Sequence, residues 1–112
     1  MKIIFVFGSL LLIALVSCRK IEVASGTPPC LKSHIREFDK NSPCGDSHVD
    51  QYTFESAAVY VFDPGTCGAD MTSAVYDQNC KHLGDLGGFT GNTKINGKDF
   101  GDATFVKTVW KK

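Results

Sequence analysis

The chain has 112 residues, and its 12 lysine and arginine residues balance its 12 aspartate and glutamate residues, for a formal net charge of zero at pH 7. A chain of this length forms one small domain. Because it carries no basic stripe, its charge pattern excludes the electrostatic signature of nucleic-acid-binding proteins, and we expect no nucleic-acid partner.

The N-terminal residues resemble a lipoprotein signal peptide. Lys2 supplies a positive charge, and residues 3–15 form an apolar run of thirteen residues, which suits a signal peptide and is too short to span a bilayer. Leu15-Val16-Ser17-Cys18 resembles the lipobox, where bacterial prolipoproteins are lipidated on cysteine and cleaved just before it. The resemblance implies a signal peptide at residues 1–17 and a lipid anchor with acyl chains such as palmitate on Cys18.

Residues 18–29 are predicted to form the lipidated cysteine and a flexible tether, since Ser25-Gly26-Thr27-Pro28-Pro29 rarely forms regular structure. Arg19-Lys20-Ile21-Glu22 lacks the dense acidic run expected of a surface-export signal. We therefore expect a membrane-anchored protein of the cell envelope that faces the periplasm rather than the cell surface.

Four cysteines follow the anchor, at Cys30, Cys44, Cys67 and Cys80. An even number of cysteines in an exported domain predicts disulfide bonds. Four cysteines allow three pairings, and we expect Cys30–Cys44 with Cys67–Cys80 because each pair brackets one local unit.

Residues 30–112 are predicted to form a single α+β domain. Leu31, Ile35 and Phe38 recur at helical spacing, which predicts a short amphipathic helix that ends near residue 41. After the helix, the pattern of apolar and polar residues predicts strands at residues 49–54, 57–62, 74–76, 83–89 and 104–110. It also predicts a loop at 90–98 and a brief helical turn near Phe100. The predicted fold is one N-terminal amphipathic helix packed on a small, mostly antiparallel sheet of four to five strands, braced by disulfides.

Metal binding and nucleophilic catalysis each have a weak signal. Cys44 with His48, and Cys80 with His82, lack the paired ligand spacing of structural zinc, so we predict no metal site and no cofactor. Gly45-Asp46-Ser47-His48 places serine, histidine and aspartate side by side, but catalytic triads are assembled from residues distant in sequence. The glycine-rich residues 84–91 indicate a bent strand rather than a phosphate loop, because turn residues follow them. We predict no catalytic residue.

Residues 60–70 and the glycine-rich residues 86–92 resemble a family of small uncharacterised lipoproteins common in the Bacteroidota, whose domain has no known function. The resemblance implies an exported, lipid-anchored α+β domain and supplies no functional residues.

Together these features favour a lipid-anchored, non-catalytic binding or accessory module. Its partners would be the membrane, through Cys18, and an envelope protein that contacts a sheet edge or residues 84–97. One competing interpretation is a small envelope hydrolase, and the other is a metal-binding or small-ligand-binding protein with side chains that converge in a pocket. The hydrolase would use Asp63, Asp70, Asp85 or His82, and two of these groups within hydrogen-bond reach in a cleft would favour it.

Overall fold

The computed structural model describes residues 21–112. The predicted signal peptide and Cys18 lie outside the described residues. Helix α1 spans Pro29–Asn41, as the sequence predicts. Proline suits its first turn, where the backbone N–H has no helical partner. The helix ends where Ser42 becomes extended and its N–H donates to the carbonyl of Phe38. Among the described residues, no helix has the length and apolarity needed to cross a membrane.

Seven strands follow the helix. They are β1 (His48–Phe54), β2 (Ala57–Asp63), β3 (Thr72–Asp77), β4 (His82–Gly87), β5 (Lys94–Ile95), β6 (Lys98–Asp99) and β7 (Thr104–Lys111). Five of them form one antiparallel sheet in the order β4-β3-β2-β1-β7. Glu55 and Ser56 turn the β1–β2 hairpin with φ values of +50° and +61°, the left-handed conformation that two-residue hairpins require. The predicted α+β fold is confirmed.

The structure contains strands β5 and β6 in the region where the sequence predicts a loop over residues 90–98. They pair as a two-stranded hairpin around Asn96-Gly97, the dipeptide that favours such turns. Strands of two residues are too short to show alternation, so the sequence gives no periodic signal for them. A 3₁₀ turn at Phe100–Asp102 follows, as expected.

The sheet has a hydrophobic cluster on each face. On one face, Leu31 and Ile35 of α1 pack in a cluster with residues of β1, β2 and β7, namely Val49, Tyr60, Phe62, Val109 and Trp110. On the other face, Ile95 of the β5–β6 hairpin joins Phe54, Val59, Val61 and Val75. Both faces of the central strands are therefore covered, one by the helix and one by the β5–β6 segment.

All four cysteines of the domain form disulfides, but the predicted pairing is wrong. The bonds join Cys30 to Cys80 and Cys44 to Cys67, not Cys30 to Cys44 and Cys67 to Cys80. The antiparallel sheet brings the β3–β4 turn beneath the start of α1 and the β2–β3 connection beside the end of α1. The Cα atoms of the bonded pairs are therefore only 6.1 and 5.4 Å apart, within the range that a disulfide bridges.

Residues 21–28, assigned from the sequence to the tether, lie against the domain. Ile21, Val23 and Ala24 pack on the helix-side cluster. The N–H of Ala24 donates to the carbonyl of Val109 at 2.8 Å, and the hydroxyl of Thr27 donates to the carbonyl of Ala24 at 2.7 Å. Ile21, three residues after Cys18 in the sequence, is thus already in contact with the domain.

Candidate functional site

Ser47, the serine of the Asp-Ser-His run, is a structural residue. It is fully buried, and its hydroxyl lies 2.8 Å from the carbonyl oxygens of Cys44 and Pro64. It also shares a hydrogen bond with the hydroxyl of Ser42. A buried hydroxyl bound in this way holds two chain segments together and is not exposed to a substrate.

Asp46 also connects the segment before β1 to the segment after β2. Its carboxylate accepts hydrogen bonds from the hydroxyl of Thr66 at 2.6 Å and from the Thr66 N–H at 3.1 Å. These two bonds, the side-chain one foremost, lower the pKa of Asp46 from its ordinary value of 3.8, because they favour the charged form. Together with the Cys44–Cys67 disulfide, they fasten the chain before β1 to the turn after β2.

The four groups considered for a hydrolase lie at three different places in the fold. Asp63 lies 3.6 Å from Nε2 of His48 and accepts a hydrogen bond from the N–H of Gly65. Asp70 is exposed in the turn before β3. His82 and Asp85, in contrast, come together, with Nε2 of His82 2.8 Å from Oδ1 of Asp85. Half of each of these two side chains is exposed.

A β-bulge creates the His82–Asp85 pair. In a regular strand, residues three apart point to opposite faces. In β4 the register shifts, so that His82 pairs with Tyr76 while Gly84 pairs with Val75 and Asp85 with Ala74. The extra residue brings His82 and Asp85 to the same face of the sheet.

An open cleft lies between α1 and strand β3 on that face, and we call it the α1–β3 cleft. Its volume is about 380 Å³, and its walls are His34, Glu37, Phe38 and Asn41 of the helix with Phe62, Thr72, Ala74 and Tyr76 of the sheet. The buried residues under the helix come from β1, β2 and β7, and Ala74 and Tyr76 of β3 pack at their margin and are only partly buried. The helix side of β3 is therefore only partly covered.

Aromatic rings form the floor of the α1–β3 cleft. The ring of Tyr76 lies 5.1 Å from that of His34, 5.0 Å from that of Phe62 and 5.3 Å from that of His82. At the rim, Nδ2 of Asn41 donates to Oε2 of Glu37 at 3.2 Å. Tyr76 thereby links the cleft to the His82–Asp85 pair.

The cysteines considered for zinc are engaged elsewhere. Cys44 and Cys80 are both oxidised to disulfides, so neither thiolate is available as a ligand. Within residues 21–112, no group of three or more histidine, cysteine, aspartate or glutamate side chains could hold a metal ion.

The glycine-rich residues 84–91 form the end of β4 and the turn that follows it, and backbone hydrogen bonds close this turn, in agreement with the bent-strand interpretation. Gly87 and Asn92 exchange two backbone hydrogen bonds, and the N–H of Gly88 donates to the carbonyl of Met71. A Cβ atom on Gly88 would stand 2.9 Å from Cγ2 of Thr72, so the chain approaches β3 closely here. Phe89 is 90% exposed in this loop.

These features define the class of the protein: a disulfide-linked α+β domain with one helix on a five-stranded antiparallel sheet and an open, aromatic-floored cleft between them. The family model described as "Domain of unknown function (DUF6970)" matches residues 34–112, and the chain belongs to this family. No curated protein and no solved structure matches the chain. The expected membership in a family of unknown function is confirmed, while its lipoprotein character and its link to the Bacteroidota stay predictions.

Proposed function

We propose that the protein is a lipid-anchored, non-catalytic binding module of the bacterial cell envelope that faces the periplasm. The α1–β3 cleft is the observation that carries the binding role. It is concave, its floor is aromatic, and polar side chains converge at its rim, which is the composition of small-ligand sites. The two disulfides support an oxidising compartment such as the periplasm.

The proposed anchor is Cys18, at the end of the lipobox-like sequence. Ile21 already packs on the domain, and the three residue-to-residue steps from Cys18 to Ile21 span at most about 11 Å. An anchored domain would therefore be held close to the membrane surface.

Replacement of the anchoring cysteine tests this part of the proposal. In a host that processes lipoproteins, we expect the wild-type chain to incorporate a palmitate analogue and to fractionate with membranes. Cys18→Ser should lose both properties, and Ser25→Ala, at an exposed position, should keep both. A Cys18→Ser product that is still labelled and membrane-bound would disprove the anchor.

The cleft is a better binding surface than the sheet edges. On the β7 edge, the N–H of Ala24 already donates to the carbonyl of Val109, and the β1–β7 register shifts twice. On the β4 edge, Nδ2 of Asn92 donates to the carbonyl of Asp85 at 2.6 Å. Bulges and bonded backbone groups oppose the addition of a further strand.

A hydrolase is the second candidate function, and the His82–Asp85 pair favours it. A histidine whose ring nitrogen is hydrogen-bonded to a carboxylate is the arrangement of a general base. The pair opens to solvent beside the cleft, where water could act as the nucleophile. In assays with chromogenic esters, glycosides and phosphate esters, the binding module predicts equal background rates for wild type and His82→Ala. Turnover that His82→Ala abolishes would establish the hydrolase instead.

A further inference from the structure

We propose that the α1–β3 cleft binds a neutral saccharide of one or two pyranose rings, an inference that rests on the proposed binding function and names its ligand class. The volume of about 380 Å³ lies at the small end of the range of roughly 300–1,000 Å³ found for small-molecule sites. Such a volume suits a short saccharide rather than a polymer or a folded partner.

The charge of the cleft disfavours anionic ligands. Its lining contains the carboxylate of Glu37 and no lysine or arginine, and Asp85 adds a second carboxylate beyond Tyr76. A site of one charge sign repels ligands of the same sign. The ligand is therefore neutral or cationic.

The floor of the cleft is formed by aromatic and other apolar side chains, and such a floor suits a sugar ring. Around Tyr76, the rings of His34, Phe62 and His82 already pack at inclined angles of 80°, 62° and 54°. What remains is an apolar floor, completed by Phe38 and Ala74, which suits the C–H face of a pyranose ring.

The rim supplies hydrogen bonds that fit hydroxyl groups. The hydrogen bond from Asn41 to Glu37 orients a carboxylate and an amide side by side. Glu37 has further lone pairs to accept hydrogen bonds, while Asn41 retains a second N–H donor and a carbonyl acceptor. Thr72, across the cleft, adds a hydroxyl that both donates and accepts. Adjacent sugar hydroxyls also both donate and accept hydrogen bonds, so they can pair with these donors and acceptors.

The test is a titration of the ¹⁵N-labelled protein, purified in detergent micelles from a host that processes lipoproteins and used whether or not it is lipidated. Binding is monitored by the amide chemical shifts. The probes are maltose, cellobiose and N,N′-diacetylchitobiose, at up to about 10 mM, which is tenfold above a Kd of about 1 mM. We expect saturable shifts in at least one titration, confined to the cleft: His34, Glu37, Asn41, Thr72 and Tyr76.

Cleft variants and a matched control separate specific binding from weak general contact. Asn41→Ala should weaken binding about tenfold, as expected for one hydrogen bond of about 1.4 kcal/mol. Ala74→Trp should abolish binding by filling the floor. Asn79→Ala, an exposed asparagine in the β3–β4 turn, should bind as wild type does.

Three outcomes would overturn the saccharide assignment: no shifts with any of the sugars, shifts outside the cleft, or shifts that Asn41→Ala and Ala74→Trp leave unchanged. Choline, titrated in parallel, checks the cationic alternative, and saturation of the cleft by choline alone would replace the saccharide with an amine. The palmitate-labelling result for Cys18→Ser is independent of these titrations, so failure of the ligand assignment is distinguishable from failure of the lipid anchor.

Discussion

The disulfide between Cys30 and Cys80 fastens the first turn of α1 to the turn between β3 and β4, with the two Cα atoms 6.1 Å apart. His34 follows Cys30 by one helical turn, and Tyr76 precedes Cys80 at the end of β3. The rings of His34 and Tyr76 meet at 5.1 Å. The bond therefore fixes one end of the α1–β3 cleft and sets the distance between its helix wall and its floor.

Removal of this disulfide should be the costlier of the two disulfide deletions. Cys30–Cys80 has a sequence separation of 50 residues and Cys44–Cys67 one of 23. Loop-closure entropy then predicts losses of about 4 and about 3 kcal/mol, respectively. Urea unfolding of C30A/C80A and C44A/C67A measures both free energies of unfolding. Peptide mapping without reductant is the control, and a fragment linking Cys30 to Cys44 would contradict the observed pairing.

Ser47→Ala should destabilise the domain without creating or removing an activity. The substitution removes the hydroxyl that lies 2.8 Å from the carbonyl oxygens of Cys44 and Pro64 and that is hydrogen-bonded to Ser42. A buried polar group left without its partner costs about 1–3 kcal/mol. Chemical denaturation gives the difference, with exposed Ser25→Ala as the matched control, for which a change below about 0.5 kcal/mol is expected. A Ser47→Ala protein as stable as wild type would contradict the structural role.

Gly65→Ala should be more harmful than Gly45→Ala. Gly65 has a φ of +98°, and an added Cβ would overlap the carboxylate of Asp46 and stand 2.8 Å from Cβ of Cys44. Gly45 has no atom within 4 Å of such a Cβ. We expect a loss of at least about 1 kcal/mol for Gly65→Ala and a much smaller change for Gly45→Ala, measured as thermal unfolding midpoints. Equal midpoints for the two variants would disprove the close approach at Gly65.

Asp46→Asn should reduce stability at neutral pH and matter less in acid. The hydrogen bonds from Thr66 lower the pKa of Asp46 below 3.8 in the folded protein. Their stabilising effect is therefore fully present above about pH 4 and is lost as the pH falls through the lowered folded pKa. Urea midpoints of wild type and Asp46→Asn should differ at pH 7, begin to converge as the pH falls below 3.8, and meet below the lowered folded pKa. A difference that stays constant over this range would show that the charge of Asp46 is not involved.

Much of the fold follows from local patterns. The spacing of Leu31, Ile35 and Phe38 predicts α1, and alternation predicts β1 and β2 with bounds that differ from the observed ones by a single residue at one end. Glu55 and Ser56 turn the hairpin where expected. These patterns depend only on which face of an element is buried, and neighbouring residues encode that directly.

The candidate site was harder to predict. Its side chains come from α1, β2, β3 and β4, and none of them forms a motif in sequence. One local signal existed: His34, Glu37 and Asn41 recur at helical spacing beside the apolar stripe. The His82–Asp85 pair gave no such signal, because a bulge is needed to bring residues three apart to one face of a strand.

The sequence by itself determined the α+β class, the helix, most of the strands and the presence of a disulfide framework, since each depends on local periodicity or on residue count. Only the tertiary structure decided which cysteines are bonded, that residues 21–28 lie on the sheet, and that an open cleft lies between α1 and β3. The physical reason is that these features depend on distances between segments far apart along the chain. Such distances are set by the order and twist of the whole sheet and by where one helix can cover it.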